Sequence, residues 1–258
     1  MTDWNPTLYT RFEEERTRPA AELLARVPLS APARIVDLGC GPGNSTELLV
    51  RRYPQGQTSG VDNSPAMLQS ARERLPAVPF ALGDIAAWQP AAPVDLLYAN
   101  AALQWVPDHA QLFPRLLGLL APGGVLAVQM PNNLDEPSHR LMRETAAEAR
   151  FAVHIGDANR LRSRILGVRQ YYDLLAHDAQ VDIWQTVYHH RMTDAAAIVQ
   201  WLRATGLRVF VDALPAPLQT EYLTAYERRI AAAYPVQADG SRLLAFPRLF
   251  VVARRRGA

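Results

Sequence analysis

The stretch Val36-Asp-Leu-Gly-Cys-Gly-Pro-Gly43 carries an apolar run straight into a glycine turn, with the carboxylate of Asp37 just ahead of it. Gly39 and Gly41 let the main chain approach a ligand closely and adopt dihedrals that a Cβ forbids. An acid two residues before the first glycine suits a cationic amino-acid moiety better than a pyrophosphate. The glycines also recur every second residue, which is not the G-x-G-x-x-G dinucleotide spacing. The turn alone leaves other nucleotide ligands open. Two further acids narrow the choice. Asp62 closes the next apolar run, where a carboxylate accepts from both ribose hydroxyls, and Gly83-Asp84-Ile85 closes the third, where it can accept from an adenine amino group. A single acid at a strand end often only caps a turn. Three at the ends of successive strands fall on the carboxyl edge of one sheet, where open α/β sheets bind ligands.

That edge requires alternating strands and helices. Arg34–Leu38, Thr58–Asp62, Pro79–Leu82, Val94–Tyr98 and Val125–Met130 read as strands, separated by helices beginning near Ser45, Ser64-Pro65 and His109. Ser64 is placed to cap its helix and Pro65 to occupy its first turn. The helix from His109 is expected to reach Leu120, with Ala121-Pro-Gly-Gly124 ending it. Right-handed crossovers then give a doubly wound, mostly parallel sheet. Beyond Pro131 the rhythm changes: residues 135–178 read as helical and arginine-rich. Val181–Tyr188 alternates at period two as a strand, and Arg248–Ala253 reads as the closing strand.

Composition excludes several chemistries. The 27 basic residues other than histidine are all arginine, which removes Schiff-base catalysis, pyridoxal phosphate attachment and the phosphate-loop lysine. Cys40 is the single cysteine, so no intrachain disulfide forms, and no Cys/His spacing suits zinc. Within its glycine turn Cys40 reads as packing, not as a nucleophile. A formal charge of +2 gives no argument for nucleic acid or a membrane surface. The acidic, aromatic opening lacks the apolar run of a signal peptide, and no stretch approaches the ~20 apolar residues of a spanning helix, so a cytoplasmic location is expected.

Residues 30–130, with the closing strands, resemble the class I S-adenosylmethionine-dependent methyltransferases, down to a Pro122-Gly123-Gly124 turn before strand five. In such enzymes the glycine turn holds the methionine portion, the second acid the ribose and the third the adenine. The resemblance therefore assigns S-adenosylmethionine to Asp37, Gly39, Gly41, Asp62, Asn63, Met67, Asp84, Ile85 and Asn100. A narrower resemblance to the trans-aconitate 2-methyltransferases covers nearly the whole chain. It rests on Trp4-Asn-Pro-Thr-Leu-Tyr9, Arg16–Leu24, Asn100-Ala-Ala-Leu-Gln-Trp105, Val128-Gln-Met-Pro131, Gly167-Val-Arg-Gln-Tyr-Tyr-Asp173 and Leu244-Ala-Phe-Pro-Arg-Leu-Phe250. It implies a seven-stranded Rossmann-like domain over residues 1–258. The core would span about 30–134 with closing strands about 181–192 and 247–253, under a helical cap of about 135–178 and 215–240. It also implies esterification of one carboxylate of a small tricarboxylate, with Trp4 and Tyr9 as a lid over the cofactor.

A carboxylate acceptor is already ionised at neutral pH, so methylating it needs no general base, and no catalytic residue in the proton-transfer sense is expected. A trianion must nevertheless be held, and guanidinium forks match carboxylates. Arg169 and Arg248 are the expected clamps, Tyr171 and Tyr172 the expected hydroxyl donors, and Trp105 a wall of the methyl-transfer channel. A neutral acceptor for the same cofactor remains the nearest alternative. A nicotinamide-dependent dehydrogenase is more remote, and a non-catalytic cofactor-binding regulator stays open.

Overall fold

A computed structural model describes residues 13–161, 163–203 and 205–257, with side chains from residue 17. Along the chain run α1 (Glu13–Ala25), β1 (Arg34–Leu38), α2 (Asn44–Arg52), β2 (Gln57–Asp62), α3 (Pro65–Arg74), β3 (Phe80–Leu82) and β4 (Val94–Asn100). A short 3-10 turn at Leu103–Trp105 leads to α4 (His109–Gly118), β5 (Leu120–Pro131), α5 (Pro137–Ala146), α6 (Ala149–Ile155) and α7 (Val168–Leu175). The chain continues through β6 (Ala179–Met192), α8 (Ala195–Arg203), α9 (Arg208–Val211), α10 (Ala216–Ala233) and β7 (Arg242–Arg255). The sheet has seven strands in the order β3-β2-β1-β4-β5-β7-β6, and the four pairings among β1 to β5 are all parallel. The doubly wound, mostly parallel architecture read from the sequence is the one observed.

The chain divides into two compact units. Of the described residues, one comprises 13–131, 165–185 and 249–257; the other comprises those within 132–164 and 186–248. In the first, Leu96, Leu97, Tyr98 and Ala99 of β4 and Val125 to Val128 of β5 have no exposed surface, as expected of central strands covered on both faces. The helices start where local chemistry dictates. Ser64 accepts the Met67 N–H at 3.2 Å with Pro65 opening α3, and Asp108 accepts the Gln111 N–H at 3.3 Å to open α4. Glu47 in the first turn of α2 and Arg51 and Arg52 in its last complement the helix dipole. Helix α7, read from sequence with the cap, clusters with this first unit.

In the second unit α10 is tied to α5 by a series of tyrosines. The Tyr222 hydroxyl donates to the Met142 carbonyl at 2.9 Å and that of Tyr226 to the Ser138 carbonyl at 2.7 Å, while Tyr234 accepts the Ser138 N–H at 3.0 Å. Burial pushes the ionisation of all three phenols upward, so they serve as neutral donors and acceptors. Among the described residues no helix is long and apolar enough to cross a membrane, and no cluster of His, Cys, Asp or Glu could hold a metal ion.

The strand limits differ from the sequence reading at several points. α4 stops at Gly118 and β5 begins at Leu120, so the Pro122-Gly123-Gly124 turn lies within the strand instead of before it. A Cβ on Gly124 would stand 2.9 Å from the Ala121 carbonyl oxygen, which explains a glycine in that bend. β6 and β7 are also longer than Val181–Tyr188 and Arg248–Ala253.

Candidate functional site

β1, β2 and β3 present their carboxyl ends side by side, with Asp37 opposite Gly60 and Asp62 opposite Leu82 in the parallel register. Asp37, Asp62 and Asp84 therefore stand on one rim of the first unit. Between them the chain makes its glycine turn. The Gly39 and Cys40 N–H groups both donate to the Val61 carbonyl, at 2.7 and 3.1 Å, and Gly39, Gly41 and Gly43 all have positive φ. A Cβ on Gly39 would come within 2.3 Å of the Ala102 Cβ, while one on Gly41 would enter open space. The turn is thus closed on its inner side and open at Gly41.

The three acids are held differently. Asp37 has no exposed surface; its Oδ2 accepts from Ser45 Oγ and Thr46 Oγ1, each at 2.7 Å, while its Oδ1 is buried without a hydrogen-bond partner among the described residues. Burial pushes its carboxyl up to about 6, against the opposing pull of the two hydroxyls, with the nearby Asp62 charge adding to the rise. Asp62 accepts the Gly41 N–H on Oδ2 and the Ser64 N–H on Oδ1, both at 2.9 Å, so it is aimed by the glycine turn and by the start of α3 together. Asp84 is exposed and accepts the Ala86 N–H at 2.9 Å, which fixes the loop after β3. Asn63 beside Asp62 is exposed, whereas Met67 and Ile85 are buried. The Ile85 side chain lies 3.5 Å from where a Gly39 Cβ would stand.

Asn100 ends β4, two residues beyond the position paired with Asp37, and its Oδ1 is buried without a partner among the described residues. Ala101 follows at φ 53°, a strained conformation for a residue with a side chain. It is pinned by its N–H to the Gln129 carbonyl at 2.9 Å and by Gln104 Nε2 on its own carbonyl at 2.6 Å. Trp105, at the end of the 3-10 turn, is 38% exposed.

The residues expected to hold an acceptor are more dispersed. On α7, Arg169 projects into solvent with an ion pair to Asp173 at 3.7 Å, and Tyr172 is half exposed. Tyr171 has no exposed surface, and its hydroxyl is already engaged by His109 and by the Leu166 N–H. That commitment leaves Tyr171 no donor to offer an acceptor, contrary to the sequence expectation. Arg248 belongs to the second unit, 3% exposed, with its guanidinium 4.9 Å from the Phe246 ring and 5.9 Å from that of Tyr188. Trp4 and Tyr9 lie outside the described residues. Cys40 is buried, and burial with the charges of Asp37 and Asp62 raises its thiol far out of the reactive range.

Three contributors escaped the sequence reading. Ser45 and Thr46, the first buried residues of α2, hold Asp37; their place directly after the glycine turn was the available signal. Arg115 of α4 donates to the Trp88 carbonyl at 2.8 Å and to the Ile85 carbonyl, stapling the loop that carries Asp84. Arg115→Met is expected to free that loop and weaken binding of S-adenosylhomocysteine about tenfold, the worth of one charge-assisted contact, while leaving the fold intact. Calorimetric titration of the variant checks this, and unchanged affinity would limit Arg115 to packing.

A methyltransferase-domain family matches residues 35–124, the segment that supplies this rim. Over 99% of this chain and 100% of its own length, a curated trans-aconitate 2-methyltransferase of Variovorax paradoxus is 65% identical. The chain belongs to the trans-aconitate 2-methyltransferases. Another member of that family, from Paracidovorax citrulli, is likewise 65% identical over 99% of both chains. Solved structures show the same fold at much lower identity. The YcgJ protein of Bacillus subtilis superposes with a TM-score of 0.62 at 14% identity, over 93% of this chain and 100% of that one. A Haemonchus contortus phosphoethanolamine N-methyltransferase in complex with S-adenosyl-L-methionine gives 0.54 at 16% identity, over 93% and 52%. In this trans-aconitate 2-methyltransferase the family match over residues 35–124 takes in Asp37, Asp62 and Asp84.

Proposed function

We propose that this methyltransferase transfers the methyl group of S-adenosylmethionine to one carboxylate of trans-aconitate, releasing the monomethyl ester and S-adenosylhomocysteine. The 65% identity to a trans-aconitate 2-methyltransferase over essentially the whole chain carries this reading. The rim fits the cofactor on its own chemistry. A buried carboxylate oxygen at Asp37 has no hydrogen-bond partner among the described residues, and a Cβ on Gly41 beside Asp62 would meet open space.

When bound, S-adenosylmethionine supplies an electrophilic methyl carbon on its sulfonium. The chain's own work is to bind, orient and exclude water. Asp37 receives the ammonium of the methionine portion, Asp62 the ribose hydroxyls and Asp84 the adenine amino group. Asn63, Met67 and Ile85 line the nucleoside, while Asn100 and Trp105 line the path of the methyl group. No side chain needs to move a proton, because the acceptor oxygen is already anionic. Holding the reacting atoms about 3 Å apart and aligned supplies several kcal/mol of the barrier reduction.

Arg248 is the favoured carboxylate clamp. Its place in the Leu244–Phe250 motif supports this, since a guanidinium fork matches a carboxylate bidentately, whereas the exposed Arg169 is screened by water. Arg248→Met should raise the KM for trans-aconitate about 10- to 100-fold, from a lost charge-assisted pair, and leave affinity for S-adenosylhomocysteine nearly unchanged. Arg169→Ala should change KM by less than about threefold. Steady-state kinetics of the two variants tests the assignment, and an unaltered KM in Arg248→Met removes it from the site. The activity itself is tested by incubating the protein with methyl-labelled cofactor and a panel of di- and tricarboxylic acids. Label in a base-labile ester of trans-aconitate supports the reading; label only on a neutral compound defeats it.

A further inference from the structure

Within the first unit, a buried chain of hydrogen bonds joins two segments that flank the proposed chemistry. The Leu166 N–H donates to the Tyr171 hydroxyl at 3.2 Å, that hydroxyl lies 2.5 Å from His109 Nδ1, and His109 Nε2 lies 2.8 Å from the Leu103 carbonyl. The direction of the chain follows from its ends. A carbonyl only accepts, so Nε2 carries the imidazole proton. In the neutral ring Nδ1 is then an acceptor, and the Tyr171 O–H donates to it. Tyr171 and Leu103 have no exposed surface, His109 is 8% exposed and Leu166 is part-buried, so the chain runs inward from a part-buried N–H and each of its polar groups is satisfied. Phe113 completes the cluster, its ring 4.6 Å from that of Tyr171 and 5.3 Å from that of His109.

The two backbone groups reached are informative. Leu166 lies two residues before α7, which carries Arg169 and Tyr172, and Leu103 opens the 3-10 turn that ends in Trp105. Apolar side chains would fill the same space without demanding two backbone partners, so this arrangement specifies geometry as well as volume. The turn it holds is preceded by Ala102, which closes against Gly39, and by the strained Ala101. A strained residue persists only where its surroundings over-determine it.

We propose that His109 and Tyr171 are positioning residues for methyl transfer: their relay from Leu166 to Leu103 holds the wall of Asn100 and Trp105 in register with α7. This rests on the reading of the site as a methyltransferase centre. Neither residue touches the reacting atoms. Loss of the relay should therefore lower kcat while leaving cofactor affinity in place.

Tyr171→Phe and His109→Phe are each expected to reduce kcat for trans-aconitate about tenfold, since small misplacements are costly in rate. S-adenosylhomocysteine affinity should stay within about twofold of wild type. The double variant should be no slower than either single one, because both break the same relay. His109→Gln offers a donor and an acceptor from one amide and should recover most of the lost rate, which a purely steric role would not predict. Wild-type kcat in both phenylalanine variants, or losses that multiply in the double variant, overturns the proposal. A second readout does not depend on the acceptor. The nitrogen resonances of His109 should report a neutral ring protonated at Nε2, and the Trp105 indole N–H resonance should shift in Tyr171→Phe. If wild-type protein methylates no tricarboxylate, the functional reading fails by itself and the resonances decide the relay. An unmoved Trp105 signal in Tyr171→Phe overturns it.

Discussion

Between pH 4 and pH 7 the free wild-type protein is expected to lose about 2 kcal/mol of stability that Asp37→Asn keeps. The sign follows from burial. The Asp37 carboxyl is pushed up to about 6 in the fold from 3.8, so the folded state holds its proton more tightly than the unfolded chain does. Its contribution is fully present below the unfolded value and is lost as pH rises through about 6. Above that, a buried charge stands in the free protein, held by the Ser45 and Thr46 hydroxyls. Asparagine does not titrate, so the difference between urea midpoints of the two proteins, followed against pH, isolates this one group. The cofactor arm runs the other way. An ammonium beside Asp37 favours the carboxylate, so S-adenosylhomocysteine should bind about tenfold more weakly for each unit below pH 6 and level off above 7. Removing the charge from a buried pair costs about 2–5 kcal/mol, so Asp37→Asn should bind about a hundredfold more weakly at pH 7. Equal affinity in variant and wild type would take Asp37 away from the ligand's amino group.

The second large effect separates two glycines in one turn. Gly39→Ala places a Cβ within 2.3 Å of the Ala102 Cβ at a φ of +70°, so overpacking and backbone strain combine. It should destabilise the protein by about 2–5 kcal/mol. Gly41→Ala meets nothing within 4 Å, so only the strain of its +53° φ is felt, about 1–2 kcal/mol. Its methyl group instead enters the space assigned to the ligand, and S-adenosylhomocysteine affinity should fall at least about tenfold. Thermal unfolding and titration on both variants separate the two roles. A Gly41→Ala protein that binds as wild type does would show the turn is not the cradle.

The rim was legible in the sequence because its determinants are local. Asp37, Gly39 and Gly41 fall within five consecutive residues, and Asp62 and Asp84 each close an apolar run that is visible by itself. Strand limits were less legible where one residue suits two states. Leu119 and Leu120 continue the apolar face of α4 equally well, yet the chain leaves the helix at Gly118. Pro247 hides the first half of β7, since proline normally argues against a strand interior. His109 and Arg115 were not legible as site residues because they act on backbone carbonyls, which carry no side-chain signature. Arg115 reaches 27 and 30 residues back along the chain, and His109 meets its tyrosine 62 residues ahead. Tyr171 was marked by its motif, but its partner was not, so the hydroxyl read as free for a ligand.

The strand order also bears on how a nascent chain reaches this shape. β7 is the last strand to leave the ribosome, yet it lies between β5 and β6 in the sheet. Until it is synthesised, β5 presents an open hydrogen-bonding edge and β6 has no neighbour to pair with. Unpaired edges invite pairing with other chains, and vectorial synthesis prolongs their exposure. Premature termination between Met192 and Arg242 would therefore leave two sticky strands instead of a slightly shortened enzyme.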